Sequence, residues 1–370
     1  MKILIISQHI FPMQTPRAHR TTELIKELSR RGYSITVYAV LGKYDYQRFE
    51  NKYNVKIKNI DIFFQKHPYN SDADGKRTFI DKVLGKLLGK IAEFPNIEFL
   101  FRISKIIKSE PTHDVLLTIA DPHQIHWGAA KAKKRFNEKF PNLWIADCGD
   151  PFMGNGKSKN HFKYFSYFEK KFCERCDFIT VPVEEALDGY YKEYHEKIKV
   201  IPQGFSFELD ANQDEPKNSI VTFAFAGTFY PGIRNPTTFL NFLSRLDIDF
   251  MFVIYTRYTD LIDRFKVALA NKIEIREPID RVDLIKELKK MDFLLNIENV
   301  ETKTQIPSKL IDYGIAGRPI LSINPNHFED TLILDFLFKN YDKKLQIKDL
   351  EKYHISNVTD RFVELFTFNK

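Results

Sequence analysis

The chain has 370 residues, of which 43% are hydrophobic and 28% charged, as in a soluble globular protein of about two domains. No apolar run approaches the roughly 20 residues that a membrane-spanning helix needs, and the opening MKILIIS lacks the regions of a signal peptide. Three cysteines fit a reducing cytosol better than a disulfide framework, so we expect a cytoplasmic protein. The net charge of +7 favours anionic partners: phosphates, nucleic acid or an acidic membrane surface.

Strands and helices alternate along the first half of the chain. Residues 2–7 predict a buried strand, 17–31 a helix that ends before Gly32, and 34–40 a second strand. Further strands are expected at 56–64, 114–119, 143–147, 178–182 and 198–201, with helices at 123–136 and 184–194. This alternation predicts a parallel, doubly wound sheet.

The same pattern restarts after a polar stretch at 208–219, which predicts domains at 1–205 and 206–370. Strands are expected at 221–227, 251–256, 272–277, 292–297 and 318–323, with helices at 235–246, 259–270, 281–291 and 307–313. The predicted fold class is therefore α/β, with two facing Rossmann-like domains, parallel sheets and an interdomain cleft. The last helix is free to pack back on the first domain. Ligands of such sheets bind beyond the carboxyl ends of the strands.

Residues 76–91 form a basic amphipathic pattern. Apolar residues share one helical face, and Lys82, Lys86 and Lys90 recur on the other. Such a helix packs its apolar stripe on the protein core or lies on an anionic membrane surface. Both interpretations stay open.

The segment QIPSKLIDYGIAGRPILSIN, residues 305–324, carries the strongest functional signal. Pro307 suits the first position of a helix, and the free amides of that first turn, together with Ser308 and Lys309, predict an anion site. Asp312 follows one turn later and can accept hydrogen bonds from a sugar or ribose hydroxyl. A phosphate site beside a hydroxyl acceptor indicates a nucleotide-sugar site.

Other polar residues fall at predicted strand-to-helix junctions. In the second half, Gly227 begins a small-residue link to Arg234, which can donate two hydrogen bonds to a phosphate. In the first half, residues at three junctions are candidates for contacts in the cleft or for acid–base work, namely Arg17, His19, Arg20, Asp121, His123, His126 and Asp150.

Several function classes lack their motifs. The sequence has no GxGxxG fingerprint, no GxxxxGK[ST] and no HExxH, so a nicotinamide dehydrogenase, a P-loop NTPase and a metalloenzyme are poorly supported. Cys173 and Cys176 form a lone CxxC on a predicted helix, where structural cysteines are the favoured interpretation. We expect no metal, no cofactor and no nucleic-acid partner.

Taken together, these segments resemble the glycosyltransferases of the GT-B fold, in particular the bacterial group 1 family, which usually retains the anomeric configuration. The resemblance covers nearly the whole chain, and the order and spacing of its motifs make it specific. Beyond the opening strand and residues 17–20, it rests on ADPHQIHWG, WIADCGDPF, CDFITVP, VIPQG, FAGTFY, MDFLLNI and PSKLIDYGIAGRPIL.

The resemblance implies roles for residues of this chain. The second domain would bind the nucleotide sugar, with Arg234 and Lys309 on the diphosphate and Asp312 on the ribose. The loop of Arg276, Glu277 and Pro278 would face the base. The first domain would bind the acceptor, with His123 or His126 near the reacting sugar and Asp150 near the acceptor.

One position departs from the family pattern. Members commonly carry Glu-x7-Glu around the helix of Asp312, but the earlier position here is Thr304, with Glu298 and Glu301 in the preceding loop. The sequence leaves retention or inversion undecided.

The resemblance implies transfer of a sugar from a nucleotide-diphosphate donor to a glycan or lipid-linked acceptor, without a cofactor, in bacterial surface polysaccharide synthesis. The protein would be cytoplasmic, with residues 76–91 available for the inner-membrane surface. Two alternatives remain: a nucleotide-sugar 2-epimerase of the same architecture, and a non-catalytic scaffold that binds nucleotide sugars.

Overall fold

A computed structural model describes residues 1–13, 15–64, 87–154, 162–208, 216–298 and 308–367. The chain forms two compact units, one of Met1–Ser206 with Lys352–Lys370 and one of Phe207–Glu351. We call them unit 1 and unit 2. The second unit is thus inserted in the chain between two parts of the first.

Unit 1 is built on a seven-stranded parallel sheet with the order β3-β2-β1-β4-β5-β6-β7. Its strands are β1 Lys2–Ser7, β2 Ser34–Ala39, β3 Val55–Asn59, β4 Val115–Ile119, β5 Leu143–Asp147, β6 Phe178–Val181 and β7 Ile198–Val200. Its helices are α1 Pro16–Arg30, α2 Gln47–Tyr53, α3 Glu98–Ser109, α4 Gln124–Arg135, α5 Phe165–Arg175 and, from the far end of the chain, α10 Ile355–Thr367.

Local sequence explains how α1 begins and ends. Thr15 caps it by accepting a hydrogen bond from the Ala18 amide at 3.3 Å, and Pro16 occupies the first turn. Gly32 follows the helix with a φ of +82°, a conformation that glycine adopts without strain. This turn leads the chain straight into β2.

Helix α10 completes one face of the unit 1 sheet. Its apolar residues Val358 and Phe362 are fully buried in the same core as Ile3 and Ile5 of β1. Gly204 permits the close approach, because a Cβ atom there would lie 2.7 Å from the Ile355 side chain.

Unit 2 is built on a five-stranded parallel sheet with the order β10-β9-β8-β11-β12. Its strands are β8 Val221–Ala226, β9 Phe250–Tyr255, β10 Ile273–Arg276, β11 Phe293–Ile297 and β12 Ile320–Ile323. Its helices are α6 Thr237–Leu243, α7 Arg281–Leu288, α8 Ser308–Ala316 and α9 Asp330–Leu337. In both sheets the order in which strands are added reverses after the third strand, and the fourth strand pairs with the other side of the first. This reversal places a topological switch point next to β1 and next to β8.

Three sequence predictions of secondary structure need correction. The strand predicted at 56–64 ends at Asn59. The helix predicted at 184–194 is two 3-10 segments, because the chain is extended at Tyr190 and Gly189 packs on Pro151, where a Cβ would lie 2.2 Å from Cγ. The helix predicted at 259–270 is reduced to turns and the 3-10 segment Asp263–Phe265.

The predicted amphipathic helix lies largely outside the described residues. Residues 76–86 are not described, and 87–92 are helical. On that helical segment Leu87, Leu88 and Ile91 are exposed rather than packed on the core. No helix in the described part of the chain is both long and apolar enough to span a bilayer.

Candidate functional site

A pocket of ≈ 330 Å³ opens beyond the carboxyl ends of β8 and β9 in unit 2. Parallel sheets of this type bind ligands at that edge, beside the switch point. The pocket joins the N-terminal half of α8 to the strand-end loops. Its lining residues are Ala226, Gly227, Thr228, Tyr255, Thr256, Arg257, Tyr258, Pro278, Ile279, Leu284, Lys309, Asp312 and Tyr313.

Lys309 is a buried cation in the wall of this pocket. Its side chain is 8% exposed, and its Nζ lies 3.5 Å from the Ile297 carbonyl oxygen and 4.8 Å from the centre of the Phe225 ring. Among the described residues it has no carboxylate at salt-bridge distance. Burial, and then the positive charge of Arg234, lower the pKa of Lys309 to about 7.

Arg234 is the second cation at this edge. The hairpin-like turn from Tyr230 to Arg234 holds it through backbone hydrogen bonds, and its guanidinium lies 5.4 Å from the centre of the Tyr230 ring. Its Nε is buried without a hydrogen-bond partner among the described residues. Burial lowers the pKa of Arg234 as well. Arg234 and Lys309 are therefore two neighbouring cations with no counter-ion among the described residues, and this indicates a site for an anion.

The backbone around the cations is fixed by Gly227 and Tyr313. Gly227 has a φ of +135° and turns the chain out of β8, while its amide donates to the Tyr255 carbonyl at 3.0 Å. That amide is therefore not available to a phosphate. The Tyr313 hydroxyl accepts a hydrogen bond from the Ala226 amide at 2.9 Å and so ties α8 to the end of β8.

Asp312 lines the same pocket, but it is already paired. Nε and Nη2 of Arg281 lie 2.7 and 2.6 Å from Oδ1 of Asp312. Burial raises the pKa of Asp312, and Arg281 acts in the opposite direction. Because both contacts go to Oδ1, the pairing orients the carboxylate and leaves Oδ2 for another donor.

Arg276 and Glu277 lie outside this pocket, in a neighbouring depression of ≈ 530 Å³ that shares Tyr255 and Ile279 with it. Arg276 is held by Glu274 at 2.8 Å and by the Tyr255 hydroxyl at 2.8 Å. In the predicted base-facing loop, it is Pro278 that lines the pocket.

The sequence analysis missed the residues after β9 that form one wall of the pocket. Tyr255, Thr256, Arg257 and Tyr258 line it, and Arg257 adds a third, exposed cation. A signal was present, because β9 was predicted and its carboxyl end lies at the same edge as that of β8.

Ser308 is the first residue of α8, as the anion-site prediction requires. Pro307, Thr304 and Glu301 lie outside the described residues. Glu298 is exposed at the end of β11 and accepts a hydrogen bond from the Ser322 hydroxyl at 3.0 Å.

In unit 1, three of the predicted residues come together at the carboxyl edge of the sheet. Arg17 lies at the start of α1, and its charge acts on both Asp121 and Asp150. Burial raises the pKa of Asp121, with Arg17 opposing and Asp150 adding to the rise. As whole residues Asp121 and Asp150 are solvent-accessible, although protein surrounds the Asp121 carboxyl group closely enough to raise its pKa, and His19 is half-buried on α1.

Arg20, predicted to face the cleft, is instead a core residue. Its side chain is 1% exposed, and its Nε and Nη2 donate to Asp147 at 2.7 and 2.6 Å. Its remaining donors bind the carbonyls of Pro202 and Ile201, and Phe362 of α10 lies against the guanidinium. Four of its five N–H donors are thus used inside the protein, and the buried Arg20 braces unit 1 rather than facing a ligand.

His123 and His126 are buried beneath the same edge. His126 has no exposed surface, and its ring nitrogens contact Thr118 Oγ1 at 2.8 Å and Cys148 Sγ at 3.3 Å. His123 is 7% exposed, and its Nε2 donates to the Asp150 carbonyl oxygen at 2.9 Å. Burial lowers the pKa of His126 well below its ordinary value. His126 is thus enclosed by protein, rather than open to a substrate.

Comparison with solved structures identifies the fold. The chain is similar to a lipopolysaccharide outer core galactosyltransferase, WaaB, over 100% of both chains, with a TM-score of 0.61 and 11% identity. A glycosyltransferase from Rickettsia africae matches with a TM-score of 0.61 and 14% identity, over 100% of this chain and 95% of the other. A UDP-N-acetylglucosamine 2-epimerase matches with a TM-score of 0.56 and 11% identity, over 100% of this chain and 96% of the other.

No family model matches the sequence, and no curated protein matches it. The structural likeness confirms the predicted fold class, because both units are Rossmann-like and the match extends over the whole chain. The protein therefore has the two-domain α/β fold of the GT-B glycosyltransferases.

Proposed function

We propose that the protein is a glycosyltransferase that moves a sugar from a nucleotide-diphosphate sugar to a hydroxyl of a glycan or lipid-linked acceptor. The observation that carries the proposal is the pair Lys309 and Arg234, two cations without a described counter-ion at the carboxyl edge of unit 2. A diphosphate supplies the missing negative charge. The fold supports the proposal, since one structure of similar fold, Anabaena HepE, is a complex with UDP and glucose (TM-score 0.53, 11% identity, over 99% of this chain and 95% of that one).

The chemistry follows from charge. When the bond between sugar and phosphate breaks, negative charge accumulates on the departing diphosphate. Lys309, Arg234 and the amides of the first turn of α8 are placed to stabilise that charge. We propose that these groups need no metal ion to do so.

Other residues are suited to the ribose and base of the donor and to the acceptor. Asp312, oriented by Arg281, is placed to accept a hydrogen bond from a ribose hydroxyl through Oδ2. Tyr255, Pro278 and Ile279 line the pocket with apolar groups against which a base can pack. In unit 1, the edge formed by Arg17, Asp121 and Asp150 offers charged groups to acceptor hydroxyls, and we assign the acceptor to it.

Nucleotide binding tests the proposal directly. In a thermal-shift panel of nucleoside diphosphates and nucleotide sugars, we expect one base to raise the melting temperature. Arg234→Ala is expected to weaken that ligand by about 100-fold in calorimetry, because charge-assisted hydrogen bonds to the phosphates are lost. Arg245→Ala, which removes an exposed arginine of the same unit, serves as the control and should bind normally. Equal affinity in both variants contradicts the assignment.

The epimerase alternative is supported by the epimerase of similar fold. Incubation of the protein with the nucleotide sugar alone distinguishes the two activities. An epimerase converts the nucleotide sugar to an isomer, whereas a transferase leaves it intact or hydrolyses it slowly. We expect no isomer. A protein that binds the donor but transfers nothing to any acceptor would match the scaffold alternative instead.

We further propose that the protein works at an anionic membrane surface, in bacterial surface polysaccharide synthesis. The exposed Leu87, Leu88 and Ile91 lie beside Lys90 on one short helical segment, which suits an interface of lipid tails and anionic headgroups. Leu88→Glu with Ile91→Glu is expected to reduce co-sedimentation with vesicles that contain anionic lipid. Val267→Glu, at an exposed valine of unit 2, is the control. If the double variant co-sediments as the unchanged protein does, this surface is not the contact.

A further inference from the structure

The buried residues His123, His126 and Cys148 form a cluster that the proposed transfer reaction does not use. One candidate ligand atom from each lies within 4.8 Å of the others, and all three side chains are buried. His126 Nε2 and Cys148 Sγ are 3.3 Å apart. Ligand atoms of one tetrahedral zinc ion stand at about this separation, since its bonds to nitrogen and sulfur are about 2.0 and 2.3 Å long.

The fold assembles the cluster from separate parts of the sequence. His123 immediately precedes α4 and His126 lies in its first turn, so the two rings project from neighbouring positions. Cys148 directly follows β5, which is hydrogen-bonded to β4, the strand that leads into α4. The cluster is therefore held by the sheet itself rather than by a surface loop.

The hydrogen bonds around the two rings determine which nitrogen of each ring carries its proton. A carbonyl oxygen only accepts, so His123 Nε2 carries its proton toward Asp150, and Nδ1 keeps its lone pair. Thr118 Oγ1 accepts from Trp144 Nε1 at 2.8 Å and has the Ile145 carbonyl 3.5 Å away for its own proton. It can thus accept the Nδ1 proton of His126, which turns the Nε2 lone pair toward Cys148. Metal-binding histidines are typically held in this way, with the other ring nitrogen donating to an oxygen.

A further polar group faces the cluster. The Tyr190 hydroxyl interacts with the Cys148 thiol, and it makes no other hydrogen bond with the described residues. Tyr190 is only 5% exposed. A buried hydroxyl in this position is satisfied if an ion, or water bound to an ion, occupies the space beside it.

We propose that His123, His126 and Cys148 bind one Zn²⁺ ion, with water or the Tyr190 hydroxyl in the fourth position. Two imidazoles and one thiolate suit zinc, which prefers nitrogen and sulfur ligands. On binding, the Cys148 S–H bond breaks, the sulfur forms a bond to zinc, and the proton leaves to solvent. The ion would join Cys148 to α4 and so fix the backbone on which Asp150 stands.

The surrounding charges permit a cation here. Arg17 is close enough to act on both Cys148 and His126, and it opposes a positive ion. Arg20 is a second cation nearby, paired with Asp147, and three carboxylates offset the two arginines, those of Asp147, Asp150 and Asp121. The Cys148 thiolate that forms on metal binding adds one further negative charge to the site.

Metal content tests the proposal without any measurement of activity. The full chain is stripped with a chelator under reducing conditions, reloaded with zinc, desalted and analysed by elemental mass spectrometry. We expect about one zinc per chain and a higher melting temperature than that of the stripped protein. Reloading with Co²⁺ should produce a sulfur-to-cobalt charge-transfer band and the visible absorption of a tetrahedral site. Less than about 0.1 equivalent of either metal on the folded protein overturns the proposal.

Substitutions test whether the ion is bound by these three residues. Cys148→Ser should lose the charge-transfer band and most of the bound zinc. Cys176→Ser is the matched control, because Cys176 is equally buried and its thiol contacts the Cys173 carbonyl outside the cluster. Thr118→Val leaves all three ligands in place and should weaken zinc binding by about 10- to 100-fold through loss of the oxygen that orients His126. Equal loss of zinc in the Cys148 and Cys176 variants would place the ion elsewhere.

Discussion

Replacement of Lys309 by methionine is expected to raise the melting temperature of the protein while it removes tight binding of the nucleotide sugar. Lys309 is buried, and in the described part of the chain its ammonium group has only one distant carbonyl and one aromatic ring near it. Methionine keeps the length of the side chain and removes the charge. Exchange of a buried ion pair for apolar side chains is often neutral or stabilises a protein by about 1–4 kcal/mol, and Lys309 lacks a paired carboxylate among the described residues. At about 2–4 °C per kcal/mol, a rise of several degrees is expected.

The gain in stability should depend on pH in a defined direction. The pKa of Lys309 is about 7 in the folded protein and returns to its ordinary value of 10.5 on unfolding. Between these values the unfolded chain binds the extra proton, so the unchanged protein gains stability as the pH rises through this window. The advantage of Lys309→Met should therefore be greatest at pH 7 and below, and should vanish above about pH 10.5.

The loss of binding is measured on the same samples by calorimetry. We expect donor affinity to fall by about 10- to 100-fold, the value of a buried charge-assisted hydrogen bond. Lys344→Met is the matched control, because Lys344 is an exposed lysine of the same unit. A variant that is less stable at pH 7 and binds the donor normally contradicts both the burial argument and the anion site.

The affinity for the nucleotide sugar is expected to fall as the pH rises above 7. Only the protonated form of Lys309 attracts the diphosphate, and the bound anion stabilises that form, so its pKa rises on binding. Affinity should be constant below the free pKa of about 7 and then fall by up to about tenfold per pH unit. A nucleotide sugar is the suitable ligand, because its diphosphate diester keeps the same charge over this range.

Proton uptake gives an independent measurement. Calorimetry in buffers of different ionisation enthalpy should show about 0.9 proton taken up per donor bound at pH 8, since most of the free lysine is then neutral. Lys309→Arg keeps its charge throughout and should bind with little pH dependence and little proton uptake. Equal pH profiles for the two proteins would mean that Lys309 does not contact the diphosphate.

The sequence predicted the fold class because most strands are short apolar runs that alternate with helical segments along the chain. It was least accurate where the chain turns tightly, as at 184–194 and 259–270. Buried residues at 262, 265 and 269 have the spacing of a helix face, but turns place the same side chains inward. Spacing alone does not distinguish these two arrangements.

The sequence could indicate which residues lie together where one local pattern contains them. Lys309 and Asp312 lie on one predicted helix, and the structure places both in one pocket. Tyr255 and Arg257 were missed because only the pairing of β9 with β8 brings them to that pocket. Arg20 was assigned to the cleft because it starts a helix at a strand edge, whereas its partner Asp147 is 127 residues away in sequence.

The insertion of unit 2 within unit 1 sets the order in which the molecule can be completed on the ribosome. Helix α10, whose Val358 and Phe362 close one face of the first sheet, is synthesised only after all of Phe207–Glu351. Until then Ile3, Ile5 and the Arg20–Asp147 pair lack the helix that covers them. A nascent chain thus exposes an apolar surface of unit 1 during the whole synthesis of unit 2. Apolar surfaces that are exposed in this way are prone to aggregate or to bind chaperones.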